Sequence, residues 1–173
     1  MQNLIDVSQI TTGSVKITLD SLNLGIFISQ VLDECGTKLE EKNLTLDEHM
    51  PQEDIYITAD GQKLWRIFEN LLSNISKYAM PNTRVYLNVE ETDDHKIKIE
   101  LKNISENKIE STPDELLERF TRDDTARNTD GNGLGLSIIK SLTELQGGSF
   151  KISVDGDLFK AILTFKKADT EGK

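Results

Sequence analysis

Three polar side chains at helical spacing form the first group of residues that could do chemistry. Asn70, Asn74 and Lys77 stand at positions i, i+4 and i+7, which places them on one stripe of a predicted helix. Asparagine disfavours a helix interior, so two of them indicate that neutral carbonyl oxygens are needed on this stripe. Such oxygens suit a hard cation such as Mg²⁺ and leave its charge available for phosphates. A merely tolerated solvent-facing stripe is the alternative.

A glycine-rich segment, Gly131–Leu136, forms the second candidate and lies at the start of another predicted helix. A helix N-terminus points free N–H groups at an anion, and glycine lets the anion approach the backbone. The segment is neither a Walker loop, because no Lys-Ser or Lys-Thr follows, nor a dinucleotide fingerprint, because Leu136 replaces the third glycine. Phosphate binding and a plain turn before a helix both remain open from the spacing alone.

The charge balance limits the possible ligands. Thirty acidic and twenty basic residues give a net charge of −10, which opposes binding to nucleic acid or to an anionic membrane surface. An anionic ligand therefore requires a local group of cations. Such a group flanks the glycine-rich segment and consists of Arg119, Arg122, Arg127 and Lys140.

Length and cysteine content favour one domain without covalent or metal staples. The chain has 173 residues, 36% of them apolar, which is enough for a single hydrophobic core. Cys35 is the only cysteine, so a disulfide framework and a cysteine-based zinc site are excluded, and we expect an inert buried thiol. The sequence lacks a long apolar span and a signal peptide, so we expect a cytoplasmic location.

The apolar periodicity predicts the elements that position the candidate residues. Helices are expected over 23–41, 61–78 and 134–146. Strands are expected at 15–19, 44–46 and 55–57, and hairpins at 85–101 and 150–165. The charged stretch 103–132, with one helical part over 113–120, is expected to be a lid. The order of elements predicts an α/β two-layer sandwich, in which a mixed, mostly antiparallel sheet is covered on one face by three helices.

Three segments in this order resemble the catalytic ATP-binding domain of bacterial sensor histidine kinases, which has the Bergerat-type ATP fold. Asn70–Tyr78 resembles the asparagine box of that family. Glu118–Arg122 with Arg127 resembles its phenylalanine box, and Gly131–Lys140 resembles its second glycine box. The resemblance runs from about Val15 to Phe165. It predicts a remnant of the dimerisation helix or linker over 1–13, the catalytic domain over 14–168 and a disordered tail over 169–173.

The resemblance implies a site for ATP and Mg²⁺ beneath the lid. Asn74 would ligate the metal with Asn70 beside it, and Lys77 and Tyr78 would reach the phosphates or ribose, so Asn70, Asn74 and Lys77 are the expected catalytic residues. The full set expected to bind the cofactor is Asn70, Asn74, Lys77, Tyr78, Asn103, Arg122, Arg127, Gly131, Gly133, Leu134, Gly135 and Leu136. The implied partners are a dimerisation domain that carries the acceptor histidine and a response regulator. We expect this chain to be a monomer and the longer kinase a homodimer.

Two departures from the family pattern leave alternatives open. The first glycine box of the family, Asp-x-Gly-x-Gly, is replaced by Asn103-Ile104-Ser105-Glu106-Asn107, which lacks both glycines. His49 and His95 do not stand in an acceptor motif and are expected on the surface. The alternatives to a kinase are an ATP hydrolase or chaperone-type module of the same superfamily, and an interaction module with weak or lost ATP binding. Superfamily hydrolases place a glutamate one helical turn before the metal asparagine, where this chain has Asn70.

Overall fold

Alternating buried residues along the strands show that the sheet has one covered face. In the strand Lys96–Ile104, Ile97, Ile99 and Leu101 are buried, whereas the residues between them are half-buried. The computed structural model describes residues 16–117 and 135–169, and seven strands in these ranges form one sheet. The strands are β1 (Asp20–Asn23), β2 (Thr45–His49), β3 (Tyr56–Ala59), β4 (Arg84–Glu91), β5 (Lys96–Ile104), β6 (Ser149–Asp155) and β7 (Leu158–Ala168).

The sheet is mixed and mostly antiparallel, as predicted. Its order is β1-β3-β7-β5-β4-β2, and β6 also pairs with β7. Only β2 and β4 run parallel among these pairs. Strands β6 and β3 both pair with the edge of β7 that is opposite to β5, at successive positions along that edge. Strands β5 and β7 therefore lie in the middle of the sheet, where side chains on the covered face are shielded from water.

Helices cover the apolar face of this sheet. They are α1 (Leu24–Cys35), α2 (Thr37–Glu40), α3 (Gly61–Tyr78) and α4 (Gly135–Leu145), and residues 113–117 are also helical. Leu64, Ile67, Phe68, Leu71 and Leu72 lie on the buried stripe of α3, at the helical spacing that the sequence shows. The Asp60 side chain begins this helix by accepting hydrogen bonds from the N–H groups of residues 62 and 63, at 3.1 and 3.2 Å.

Three predicted boundaries were wrong. The helix over 23–41 is broken at Gly36, whose N–H donates to the Leu32 carbonyl while its own carbonyl accepts from Leu39, because glycine disfavours a helix interior. The strand predicted over 15–19 begins only at Asp20, since the Thr18 N–H donates to the Asp60 carboxylate at 2.8 Å and not to a neighbouring strand. The lid predicted from Asn103 begins later, because residues 103 and 104 continue β5 and pair with β7.

Several other expectations concern the surface and the core. Cys35 is buried, and this burial raises the pKa of its thiol, in keeping with an inert core residue. His49 and His95 are exposed, as predicted. Within the described ranges, no helix has the length and apolar character needed to span a membrane. Residues 1–15, 118–134 and 170–173 lie outside the described residues. They include the predicted segment 1–13, the second half of the predicted lid and residues 170–173 of the predicted tail.

Candidate functional site

A cavity of about 430 Å³ lies between α3, strands β5 and β7, the start of α4 and the segment that follows β5. The walls are largely apolar. The helices and strands supply Leu71, Asn74, Ile75, Tyr78, Leu101, Asn103, Leu136, Phe159 and Ala161, and the segment after β5 supplies Ser105, Asn107, Lys108, Ile109, Glu110, Ser111 and Leu116. A cavity of this size that combines apolar walls with polar side chains is typical of a small-molecule site.

One face of α3 forms a wall of the cavity. Leu71, Asn74, Ile75 and Tyr78 line it at positions i, i+3, i+4 and i+7, which is the spacing of one helix face. Lys42 holds the end of this helix, because its ammonium donates to the carbonyls of Lys77 at 2.8 Å and Ala79 at 3.0 Å. A cation at a helix C-terminus also stabilises the helix dipole. The asparagine stripe therefore lies on a helix that is fixed at both ends.

Asn74 is in close contact with the first residue of α4. A Cβ atom on Gly135 would lie 2.9 Å from Nδ2 and 3.3 Å from Oδ1 of Asn74, closer than non-bonded atoms normally approach. Gly135 therefore provides the space that the Asn74 amide occupies. The glycine is needed here for close approach and not for an unusual backbone angle.

The opposite ends of the same two helices are joined by a buried hydrogen bond. The Asp60 N–H donates to the Gln146 side-chain oxygen at 2.7 Å, and the Gln146 amide donates to the Leu142 carbonyl at 3.0 Å. Helices α3 and α4 thus run antiparallel with one contact near each end. This pair of contacts fixes which residue of α4 lies against Asn74.

Asn103 is a buried polar residue among the apolar walls. It lies on the covered face of β5, between Val85 of β4 and Phe159 of β7, and only 4% of its surface is exposed. Within the described ranges, no residue forms a hydrogen bond with its side-chain amide. Asn103 therefore presents a polar side chain to the cavity at a point of the wall that is shielded from bulk water.

The segment after β5 closes one side of the cavity and is held by the backbone. The Ser105 N–H donates to the Asp157 carbonyl at 2.7 Å, and the Glu106 N–H donates to the Tyr78 carbonyl at 2.8 Å. Leu116 is buried as part of the hydrophobic core, and Ile109 is partly buried and packs against that core. This part of the predicted lid therefore contributes apolar surface to the site, which its charged composition did not indicate.

The structure brings some of the predicted site residues together and leaves others apart. Asn74, Tyr78, Asn103 and Leu136 line the cavity, and Gly135 contacts Asn74. Asn70 and Lys77 are half-buried on α3 but are not among the described lining residues. The other predicted ligands lie outside the described residues: Arg122, Arg127, Gly131, Gly133 and Leu134, together with the flanking Arg119.

Sequence reasoning missed the residues that the strands contribute to the walls. Leu101, Phe159 and Ala161 line the cavity, and in the sequence they appear only as apolar positions of two hairpins. No local signal identifies them, because their position depends on the pairing of β5 with β7, which joins Asn103 to Phe159 across the sheet.

The described residues contain no cluster of His, Cys, Asp or Glu that would hold a metal ion. Asn74 instead offers a neutral amide oxygen at the cavity wall. Mg²⁺ commonly takes only one or two protein ligands and completes its shell with water and phosphate oxygens. The donor set is therefore compatible with Mg²⁺ that arrives with a phosphate ligand, and it does not resemble a site for a free metal ion.

Comparisons with known proteins agree with this arrangement. The chain is 30% identical over 148 residues to the sensor histidine kinase HprS of Escherichia coli (strain K12), a match that covers 86% of this chain and 32% of HprS. The chain thus spans about a third of that relative.

Among solved structures, the catalytic domain of histidine kinase ThkA has a TM-score of 0.71 at 23% identity and covers 88% of this chain and 97% of its own. Full-length ShkA in complex with AMPPNP has a TM-score of 0.78 at 18% identity, and this match covers 99% of this chain and 36% of the ShkA chain. These two likenesses show the fold.

The model of the histidine kinase-, DNA gyrase B- and HSP90-like ATPases matches residues 59–169, which are more than half of the chain. The chain therefore belongs to this family.

Proposed function

We propose that this chain is the ATP-binding catalytic domain of a two-component sensor histidine kinase. It would transfer the γ-phosphoryl group of ATP to a histidine on a separate dimerisation domain. The observation that carries this proposal is the cavity, which combines the Asn74 amide at one wall with the buried Asn103 amide among apolar side chains. The family match and the sensor kinases among its relatives support the same conclusion.

The described residues fit a purine nucleotide with a metal ion. The apolar walls suit the faces of a base, the amide of Asn103 suits its polar edge, and Asn74 suits Mg²⁺. When bound, Mg²⁺ would neutralise charge on the phosphates. Gly135 would keep the Asn74 oxygen accessible, and Tyr78 would lie at the cavity rim with 44% of its surface exposed. We propose that Asn70, Lys77, Arg122, Arg127, Gly131, Gly133 and Leu134 complete the binding of the phosphates.

The residue one helical turn before Asn74 favours transfer over hydrolysis. A hydrolase needs a general base that activates water, and this position holds Asn70, which cannot accept a proton. The neighbouring Glu69 is exposed and acts electrostatically on Cys35, on the side of α3 that faces α1. We therefore propose that this chain orients the phosphoryl donor and leaves the acceptor to another domain.

The first test is nucleotide binding by calorimetry. We expect weak ATP binding that strengthens when Mg²⁺ is added, because Asn103 offers a neutral hydrogen bond where a carboxylate would give a charge-assisted one. The absence of binding at millimolar ATP would contradict the proposal and favour an interaction module.

Phosphoryl transfer should require a second domain. This chain incubated with radiolabelled ATP and Mg²⁺ should remain unlabelled, because His49 and His95 are exposed and stand outside an acceptor motif. Addition of a dimerisation domain that carries an acceptor histidine should produce acid-labile labelling of that domain. Acid-labile phosphate on His49 or His95 would refute this expectation, and release of free phosphate without labelling of the added domain would favour the hydrolase.

The contact between Gly135 and Asn74 gives a further prediction. Gly135→Ala places a methyl group 2.9 Å from the Asn74 nitrogen, so the amide must move. We expect binding of Mg²⁺ and ATP to weaken by about fivefold, the equivalent of one lost hydrogen bond. The control is Gly61→Ala, where the new methyl would meet Leu22 at an ordinary 3.5 Å. Equal affinities in the two variants would show that the Gly135 contact does not position Asn74.

The remaining parts of the proposal concern the protein beyond this chain. The partners would be the dimerisation domain of the same kinase and a response regulator, and the longer kinase would act as a homodimer with its catalytic part in the cytoplasm. HprS and the other sensor kinases among the relatives support these partners.

A further inference from the structure

The ammonium group of Lys42 connects two parts of the cavity wall from behind. Its nitrogen donates to the carbonyls of Lys77 at 2.8 Å and Ala79 at 3.0 Å, and it lies 3.7 Å from the Glu106 carboxylate. The N–H of Glu106 donates to the Tyr78 carbonyl at 2.8 Å, between the two carbonyls that Lys42 binds. Lys42 therefore joins the end of α3 to the segment after β5.

The backbone of Lys42 is fixed by the turn that follows α3. Its carbonyl accepts a hydrogen bond from the Asn82 N–H at 3.0 Å. Asn43 and Asn82 both have a positive φ, 55° and 66°, and the Asn43 amide donates to the Asn82 side-chain oxygen at 2.8 Å. Asparagine adopts this left-handed backbone more readily than most residues. Lys42 is thus held at its backbone as well as at its ammonium group, and only 23% of its side chain is exposed.

The two parts that Lys42 joins both line the cavity, whereas Lys42 does not. Tyr78 lines it from α3, and Ser105 and Asn107 line it from the segment after β5. Lys42 and Glu106 are not among the described lining residues. Because a ligand binds more tightly to groups that are already held in place, contacts behind the wall can affect its affinity without touching it.

The segment after β5 lacks both glycines of the family's first glycine box, and its backbone does not require them. Ser105, Glu106 and Asn107 are not among the described residues with a positive φ. The Ser105 hydroxyl donates to the Asn107 carbonyl at 2.6 Å, and the Glu106 carboxylate pairs with Lys42. Side-chain contacts therefore help to hold this segment, and the contact with Lys42 links it to α3.

We propose that Lys42 is a positioning residue of the nucleotide site, which keeps the end of α3 and the segment after β5 at the spacing that a bound nucleotide requires. This inference rests on the proposed nucleotide site and adds to it a residue that lies behind the cavity wall. The other role open to a cation near a phosphate site is long-range attraction of the phosphates. The two roles differ in one respect, because attraction acts only on a charged ligand.

The test compares ATP with adenosine, which has the same base and ribose without the phosphates. Calorimetry with Mg²⁺ gives the affinity for ATP, and an NMR titration gives the affinity for adenosine. Lys42→Met removes both carbonyl contacts, so we expect the two affinities of the folded protein to fall by a similar factor of about five. An ATP affinity within about twofold of that of the unaltered protein would overturn the inference. A loss for ATP without a loss for adenosine would also overturn it and would assign Lys42 to attraction of the phosphates.

Two further variants separate positioning from charge and from stability. Lys42→Arg keeps the charge and has enough N–H donors for both carbonyls, so its affinities should lie within about twofold of the unaltered protein. Lys38→Met removes the same charge from the half-buried lysine of α2 and should leave both affinities unchanged. A purely structural role of Lys42 would lower the midpoint of urea unfolding in Lys42→Met and leave both affinities of the folded protein unchanged. Equal losses of affinity in Lys42→Met and Lys42→Arg, or in Lys42→Met and Lys38→Met, would overturn the inference.

The failure of this inference can be distinguished from the failure of the proposed function. No binding of ATP by the unaltered protein would overturn both, whereas unchanged affinities in Lys42→Met would overturn only the positioning role. If Lys42→Met does not fold, Lys42→Gln takes its place, because its amide keeps a donor group for a carbonyl and carries no charge. Its affinities for ATP and adenosine should then fall by a similar factor, and unchanged affinities would overturn the inference.

Discussion

Replacing Asn74 by alanine is expected to remove the Mg²⁺-dependent part of ATP binding. The amide lies on the cavity wall beside Gly135, and alanine offers no oxygen to a metal ion. The affinity for ATP in the presence of Mg²⁺ should fall by about 10- to 100-fold, the range observed when residues that hold metal ligands in place are replaced. Affinity in the presence of a chelator should change by less than about twofold, because the contacts to the base remain.

The fold should tolerate this change, which makes the binding result interpretable. Asn74 is half-buried beside the apolar stripe, and alanine is the better helix former, so the melting temperature should stay the same or rise slightly. Asn88→Ala is the matched control, since it removes an amide on β4 that bonds to Glu100 outside the cavity. Equal Mg²⁺ dependence in the two variants would remove Asn74 from the metal site.

The largest stability effect is expected for Phe68→Ala. Phe68 is 1% exposed on α3 and meets Phe27 of α1 edge to face, with the ring centroids 5.5 Å apart. Truncation leaves a cavity between two helices, so we expect the free energy of unfolding to fall by about 3–5 kcal/mol. Urea unfolding can be followed by the fluorescence of Trp65, the only tryptophan in the chain. The ring centroid of Trp65 lies 5.9 Å from that of Phe27.

Phe68→Leu serves as the control for this prediction. It keeps most of the buried volume and should cost less than about 1.5 kcal/mol. Because Phe68 faces α1 and does not line the cavity, nucleotide affinity of the folded protein should be unchanged in both variants. A loss of less than about 1 kcal/mol in Phe68→Ala would contradict the packing of α1 on α3.

Local patterns determined the elements of this protein that depend on neighbouring residues. Helix α3 occupies the predicted range Gly61–Tyr78, because Asp60 caps its first turn and one apolar stripe runs along it. The hairpin of β4 and β5 also follows the prediction, since two alternating runs flank a short turn. The position of Asn74 on the stripe of α3 that lines the cavity could be predicted in the same way, because its helix and its spacing are local properties.

Local patterns failed where the backbone hydrogen bonds depend on residues that are distant in the sequence. Residues 16–19 alternate like a strand, yet the carboxylate of Asp60 takes the Thr18 N–H and pairing begins at Asp20. The apolar periodicity over 23–41 continues through Gly36, but the helix does not. Over 23–41 the hydrophobic pattern was right about which residues turn inward and wrong about the hydrogen bonds between them. At 16–19 it was wrong about both, because Leu19 is 48% exposed.

The cavity itself was decided by tertiary structure. The sequence places Asn103 at the end of a strand and Phe159 in another hairpin, and only the register of β5 on β7 puts them side by side. Likewise, Gly135 reaches Asn74 because the hydrogen bond from Asp60 to Gln146 holds the other ends of α3 and α4 together. Helical and strand periodicity are local in the chain, whereas a binding site is made by the pairing and packing of segments far apart in sequence, where no short-range pattern specifies the register.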